Sequence, residues 1–441
     1  MSGPDWKGRQ LHFIGIGGAG MQGWAAAAHE LGATVSGSDR DDSPVLTALR
    51  EAGIDARAGH DATNVPAGDD VEVVFSTAIP DSNPELEVAR SRGLRTMPRA
   101  ELLAELTSLR RTIAVAGAHG KTTTTSMVAH VLIEAGLDPG YLIGGTLRST
   151  GRNAAWGAGD WLVVEADESD RSLLSISTEV AVLTNVELDH HATYRSEEEL
   201  RAVFAEFLDG PAMAVIADDP PLLELRGEAP CVTFDPTPVD TSSGLPTFNW
   251  RGHEVELAVP GEHNAWNAAA ALEAAALAGV PEDEAVRAIA SFSGSGRRFE
   301  ELGRTAGGAR VVDDYAHHPT EVAAAIAAAR SQEPERLVAV FQPHLFSRTA
   351  ELAGRFGEAL AGADLAVVVD VYPSREKAAD FPGVTGELVA AAARRAGGSV
   401  ESIPGMGEAG ERLSGLLRPG DLCLVMGAGD IRSLGEALVS G

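Results

Sequence analysis

Lysine is almost missing from this chain. Of its 35 basic residues only Lys7, Lys121 and Lys377 are lysine; the others are arginine. Positive charge as a whole is scarce, since 64 acidic residues leave a formal net charge of -29. Nonspecific nucleic-acid binding takes its affinity from cations that neutralise phosphates, so that class of partner is excluded. An anionic small molecule would need a local positive patch set against this field. Cysteine is limited to Cys231 and Cys423, far apart and each among apolar neighbours. That leaves no disulfide framework and no metal-ligand spacing, and both read as buried free thiols. Aromatics make up only 5%, and no apolar run approaches the about 18 residues of a membrane span. The first residues lack the apolar core of a signal peptide, so the expected location is cytoplasmic, without membrane insertion.

What is present is an Ala- and Gly-rich chain of 441 residues, 44% apolar, of the α/β class. Short apolar runs alternate with helical stretches in a doubly wound pattern. Strands are expected at 11–16, 34–37 and 71–76, with a helix at about 21–31. The pattern restarts near Thr107-Ser108, with strands at 112–116, 161–165 and 180–186, short β segments at 213–217, 231–234 and 248–259, and an Ala-rich helix at 265–279. It restarts again after Gly294-Ser295-Gly296, with strands at 310–313, 337–341, 365–370 and 421–426. Three domains follow, 1–107, 108–295 and 296–441, with hinges near 107 and 295. The first and third are Rossmann-like; the middle one is a mononucleotide-binding sheet of the phosphate-loop type. The Pro-, Ser- and Asp-rich stretch 235–246 is expected to be a flexible loop.

The densest chemistry lies in Gly117-Ala118-His119-Gly120-Lys121-Thr122-Thr123-Thr124-Thr125. A strand, a glycine-bounded turn with Lys-Thr and then a helix is how a chain cradles a triphosphate, because helix-start N–H groups and the helix dipole favour an anion. Lys121 reaches the outer phosphates and Thr122 is the hydroxyl suited to Mg²⁺. The usual pattern asks for Gly where Val115 stands, so the loop is a short variant. Two further strands end in acids: Glu165-Ala166-Asp167-Glu168-Ser169-Asp170 and Glu187-Leu188-Asp189-His190-His191. Mg²⁺ takes oxygen ligands, and Glu165, read as the first polar residue past its strand, is the chosen one, with His190 as a second metal ligand.

Gly15-Ile16-Gly17-Gly18-Ala19-Gly20 after a strand, with Asp39 nineteen residues beyond Gly20, fits a dinucleotide fingerprint. NAD satisfies it, and so does a UDP-linked substrate, since the motif needs only a diphosphate at a helix start. Gly261-Glu262-His263-Asn264 and Asn267 open the Ala-rich helix, where Asn either meets an adenine edge or caps the helix. Asp313-Asp314-Tyr315-Ala316-His317-His318-Pro319-Thr320-Glu321 and Phe341-Gln342-Pro343-His344-Leu345-Phe346-Ser347-Arg348 end strands of the third domain. Arg348 there has the fork to grip a carboxylate.

Taken in sequence with Gly296-Arg297-Arg298-Phe299 and Gly427-Ala428-Gly429-Asp430-Ile431, these motifs resemble the Mur ligases of peptidoglycan synthesis over the whole chain. The His-His-Pro-Thr-Glu and Phe-Gln-Pro-His runs point to the alanine-adding branch. The resemblance implies a ligase that uses ATP and two Mg²⁺, with Mn²⁺ as a substitute, to join L-alanine to the lactyl carboxylate of UDP-N-acetylmuramate through an acyl phosphate. It implies that Gly15, Gly17, Gly18, Ala19, Gly20, Ser38, Asp39, Ser76 and Thr77 meet the UDP-sugar. Gly117 to Thr123, Asn264, Asn267, Arg298 and Asp314 meet the nucleotide. Thr122, Glu165 and His190 hold metal, and Tyr315, His317, His344 and Arg348 form the alanine pocket. His317 or His344 takes the amine proton. The enzyme is expected as a monomer or dimer. Ala118 and Leu345 depart from the family, which has Thr or Ser and, in some members, Arg there. No lysine lies between Lys121 and Lys377, so the carbamylated lysine of sister ligases is absent. The alternatives are a murein-tripeptide or folylpolyglutamate type of ligase on the same fold, an NAD-dependent oxidoreductase built on the first fingerprint, or a nucleotide-binding regulator without turnover.

Overall fold

The computed structural model describes residues 6–76, 78–188 and 193–440. The chain divides into two compact units: residues 1–235 with 267–289, and residues 236–266 with 290–441.

The first unit holds two sheets. One is wholly parallel, with strands in the spatial sequence Asp55–Ala58, Thr34–Asp39, Gln10–Ile14, Val71–Phe75, Arg95–Pro98. In its central strand Leu11 to Ile14 are all buried and only Gln10 is partly exposed, as in a strand covered on both faces. Chain direction across the sheet reverses beside this strand, so the Gly15–Gly18 turn lies at the switch point where such sheets leave a crevice. The helix Ala19–Glu30 follows that turn.

The other sheet has seven strands: Cys231–Phe234, Met213–Ala217, Val180–Leu183, Arg111–Ala116, Trp161–Glu165, Gly140–Leu147, Arg152–Ala155. All pairs are parallel except the last, an antiparallel hairpin. The strand leading into the phosphate loop is therefore flanked by the two strands that end in acids. Glu165 ends its strand where the span expected at 161–165 puts it, so it is not past the strand, and it pairs in register with Val115. Three details differ from expectation. The strand at 180 stops at Leu183, because Thr184 and Asn185 turn their polar groups onto the phosphate loop. The helix expected at 265 starts earlier, spanning Glu262–Leu277. Cys231 is only partly buried, since it opens an edge strand, and Arg226 Nη1 donates to its Sγ at 2.7 Å; Cys423 is buried as expected.

The second unit holds a six-stranded sheet in the sequence Glu300–Arg304, Arg310–Asp314, Asp421–Met426, Arg336–Phe341, Leu365–Val368, Val400–Ser402, antiparallel only at its first pair. Apolar clusters cover both faces, with Phe341, Phe356 and Val389 on one and Val340, Leu413 and Val425 on the other. The segment expected as one strand at 248–259 is a hairpin, Thr247–Trp250 with His253–Glu256, broken at Arg251-Gly252 where both residues have positive φ. The stretch at 235–246 is tied down by an Asp240 to Thr247 bridge and by Gln332 Nε2 donating to the Gly244 carbonyl at 2.7 Å.

Candidate functional site

The phosphate loop is built from glycine geometry and bracing side chains. Gly117 has φ +132° and an added Cβ there would meet Thr184 Oγ1 at 2.2 Å. Gly120 has φ +82° and its Cβ would meet Asn267 Oδ1 at 2.3 Å. Both positions need glycine on conformation and on space. Asn185 clamps the loop between them, its Oδ1 accepting from His119 N and its Nδ2 donating to His119 O, each at 2.9 Å. His119 Nε2 lies 2.9 Å from Glu187 Oε2. Helix Lys121–Glu134 then begins, with Thr124 Oγ1 donating to Asn267 Oδ1 at 3.2 Å.

Lys121 Nζ donates to the Gly117 carbonyl at 2.6 Å and to Glu168 Oε1 at 2.8 Å. Burial opposes the charge on this ammonium, but the Glu168 carboxylate beside it, with Glu165 and Asp167 farther off, holds its pKa above the ordinary lysine value. Thr122 Oγ1 donates to Glu165 Oε1 at 3.0 Å, and the Gly144 amide donates to Glu165 Oε2 at 2.8 Å. A donor set of loop N–H groups, one ammonium, and a hydroxyl next to a carboxylate suits a nucleotide with a hard divalent cation. Asp189, His190 and Thr77 lie outside the described residues.

At the other glycine loop, Asp39 folds back: its Oδ2 accepts from Gly17 N at 2.8 Å and its Oδ1 from Arg40 N at 2.8 Å. Ser38 is fully buried and donates to Glu85 Oε2 at 2.7 Å. Glu85 also meets His12 Nε2 at 2.9 Å and accepts from Asn64 Nδ2 at 3.0 Å. Burial pushes against its charge, yet these partners keep the Glu85 carboxyl below its usual pKa. Ser76 lies past the next strand, its Oγ accepting from Ala78 N at 3.3 Å.

In the second unit the structure brings together His263, Arg298, Asp314, Tyr315, His317 and Glu321, and beside them His344 and Arg348. Asp314 accepts from Phe299 N at 2.8 Å and Ala316 N at 2.7 Å. Burial raises its pKa to about 6 despite Arg298. The protein packed around His263 desolvates its ring and lowers its pKa to about 4, with Arg298 adding to the effect, although the residue keeps an exposed side. Asn264 is buried, and its Nδ2 donates to the Pro260 carbonyl at 2.7 Å. Arg298 lies 5.3 Å over the Tyr315 ring and 3.5 Å from Glu321 Oε1.

The ring of His317 is 6.0 Å from that of His344. His317 Nδ1 lies 3.0 Å from the Tyr315 carbonyl, which only accepts, so Nδ1 carries the proton and Nε2 is the basic nitrogen. His344 Nδ1 lies 3.3 Å from Arg348 Nη1, which only donates, so its proton is on Nε2. Leu345 has φ +69°, a left-handed backbone at the start of helix Phe346–Leu360. Sequence reasoning assigned no role to Glu168, Asn185 or Glu85. Glu168 sat in a quoted motif, but nothing in spacing says which acid of four faces the lysine.

Three family models match in succession: the Mur ligase family catalytic domain at residues 10–111, the Mur ligase middle domain at 115–275, and the Mur ligase glutamate ligase domain at 297–429. The chain is 43% identical to a UDP-N-acetylmuramate–L-alanine ligase of Halorhodospira halophila, across 98% of this chain and 93% of that one. It is 44% identical to the enzyme of the same name from Streptomyces avermitilis, across 97% and 96%. Its fold superposes on a crystal structure of a UDP-N-acetylmuramate–alanine ligase from Thermotoga maritima with a TM-score of 0.83 and 28% identity, covering 98% of each chain.

Proposed function

The chain belongs to the Mur ligase family, and from that premise we propose that it is an ATP-dependent ligase joining L-alanine to UDP-N-acetylmuramate. The products are UDP-N-acetylmuramoyl-L-alanine, ADP and phosphate, a step of peptidoglycan precursor synthesis. The observation that carries the reading is the short phosphate loop whose Lys121 is set against Glu168 and whose Thr122 is set against Glu165.

The lactyl carboxylate of the sugar is ionised at neutral pH, so its attack on the γ-phosphorus needs no base. ADP leaves and an acyl phosphate forms. Lys121 and the loop amides take the charge that develops on the phosphoryl oxygens. Glu165 and Thr122 would hold Mg²⁺, or Mn²⁺ in its place, and the cation supplies charge neutralisation there; a second site through His190 belongs to the same reading. The alanine amine must then lose a proton as it attacks the acyl carbon and phosphate leaves. His317 is the acceptor, through Nε2, because the tautomer of His344 points its proton the wrong way. Arg348 grips the alanine carboxylate, while Asn264, Asn267, Arg298 and Asp314 serve the nucleotide and Gly15 to Gly20 the UDP-sugar. Both substrates are small molecules, and a cytoplasmic monomer or dimer suffices. Among the described residues no helix is long and apolar enough to cross a membrane.

Phosphate release with ATP, Mg²⁺ and UDP-N-acetylmuramate across a panel of amino acids tests the reading. Turnover is expected with L-alanine; none with L-alanine, glycine or L-serine sinks it. Preference among those three rests on about 1–3 kcal/mol per methyl or hydroxyl. Lys121→Ala should abolish turnover and leave UDP-sugar binding intact.

A further inference from the structure

Arg99 is the first residue of helix Arg99–Thr107, which follows the edge strand Arg95–Pro98. Its guanidinium is held from two sides. Nε donates to Asp170 Oδ2 at 2.6 Å and Nη2 to Asp167 Oδ2 at 2.9 Å. The Trp24 ring lies 5.4 Å from its Cζ. The side chain is 15% exposed, so it is fixed but reachable. Its remaining nitrogen, Nη1, has two N–H groups and meets no acceptor among the described residues. That nitrogen sits at the glycine loop, 3.7 Å from where a Cβ on Gly20 would be.

Arg99 thus spans two loops. Its anchors belong to the Glu165–Asp170 segment that also supplies Glu168 to Lys121, and its open edge faces the turn read as the diphosphate seat. Two carboxylates already compensate its single charge, so this edge is a poor partner for a further anion. It remains a good directional donor to a neutral oxygen. Next to the diphosphate of a UDP-sugar, on the way to the phosphate loop, comes the hexosamine with its hydroxyl, ring and N-acetyl oxygens.

We propose that Arg99 is a specificity-determining residue that donates from Nη1 to a neutral oxygen of the N-acetylhexosamine. The inference rests on the UDP-sugar reading above. Its test is equilibrium binding of UDP and of UDP-N-acetylmuramate to the full chain, wild type, Arg99→Ala and Arg99→Lys. Both variants should bind UDP-N-acetylmuramate about tenfold or more weakly, the loss of one charge-assisted hydrogen bond, and bind UDP as the wild type does. Lysine keeps the charge between Asp167 and Asp170 but has no second edge to offer, so it does not rescue. KM for the UDP-sugar should rise while KM for L-alanine stays put, and unchanged ATP affinity reports an intact fold. An equal loss on UDP assigns the contact to the diphosphate and overturns the proposal; so does undiminished binding in Arg99→Lys. Wild-type protein that binds UDP tightly yet gains nothing from the sugar overturns it too. A wild type that binds neither ligand overturns the UDP-sugar reading itself.

Discussion

Glu168 Oε1 lies 2.8 Å from Lys121 Nζ, and the glutamate side chain is only 2% exposed. The one lysine of the middle domain therefore has a built-in counter-ion, held from behind by the Tyr194 hydroxyl donating to the Glu168 carbonyl. Glu168→Gln should cut kcat by about tenfold to a hundredfold, the worth of a hydrogen bond to a charged group. It should also lower stability by about 3–5 kcal/mol, since a buried ammonium is left facing a neutral amide. Steady-state kinetics and urea unfolding measure the two effects separately, and an unchanged kcat refutes the positioning role.

Gly120→Ala places a methyl 2.3 Å from Asn267 Oδ1 at a residue with φ +82°. The strained backbone costs on the order of 1–3 kcal/mol before any clash. Nucleotide affinity should collapse while UDP binding stays, as followed by titration calorimetry with each ligand. Normal ATP affinity in this variant contradicts the loop geometry.

His263 and Asp314 titrate in opposite senses. The His263 pKa falls from 6.5 to about 4, so the folded state resists a proton that the unfolded chain accepts. Its stability contribution is whole above pH 6.5 and is lost as pH falls to about 4, in a measure reduced by solvent screening because the residue is exposed. The Asp314 pKa rises from 3.8 to about 6, so acidification from 6 toward 3.8 returns about 3 kcal/mol. In the wild type these two contributions oppose one another. His263→Gln should become more stable between pH 6 and 4, and Asp314→Asn less stable, each relative to its own value at pH 7. Parallel denaturant curves at several pH values check this; identical pH profiles in all three proteins disprove it.

Arg348 is buried and sets the tautomer of His344. Arg348→Lys should raise KM for L-alanine by about tenfold to a hundredfold without changing KM for ATP, because an ammonium cannot form the planar fork. His317→Gln should reduce kcat well below that of His344→Gln. The reverse ranking would move the proton acceptor to His344.

The sheets, the phosphate loop and the clustering of the His-rich motifs were legible because apolar runs and glycine-bounded turns are local signals. Less legible were features made by distant residues. Asn185 clamps His119 across 66 positions, and nothing near Asn185 announces it. Spacing alone puts Asp39 at the end of the fingerprint; it does not reveal that its carboxylate also reaches 22 positions back to Gly17 N and shapes the loop. Cys231 looked buried because its neighbours are apolar, but an edge strand leaves one side open. The split at Arg251-Gly252 turned on positive φ at an arginine, which composition does not reveal.

Glu165 bridges the Thr122 hydroxyl and the Gly144 amide through separate oxygens. A cation arriving alone meets two oxygens that each already accept a hydrogen bond and lacks phosphate oxygens to complete its shell. Arriving already chelated by a nucleotide, it brings those oxygens along and lets Lys121 turn from Glu168 at the same moment. On the proposed reading the carboxylate would act as a latch on the sequence of arrival: magnesium is expected to enter as the nucleotide complex, and free magnesium alone should leave the apo protein nearly untouched.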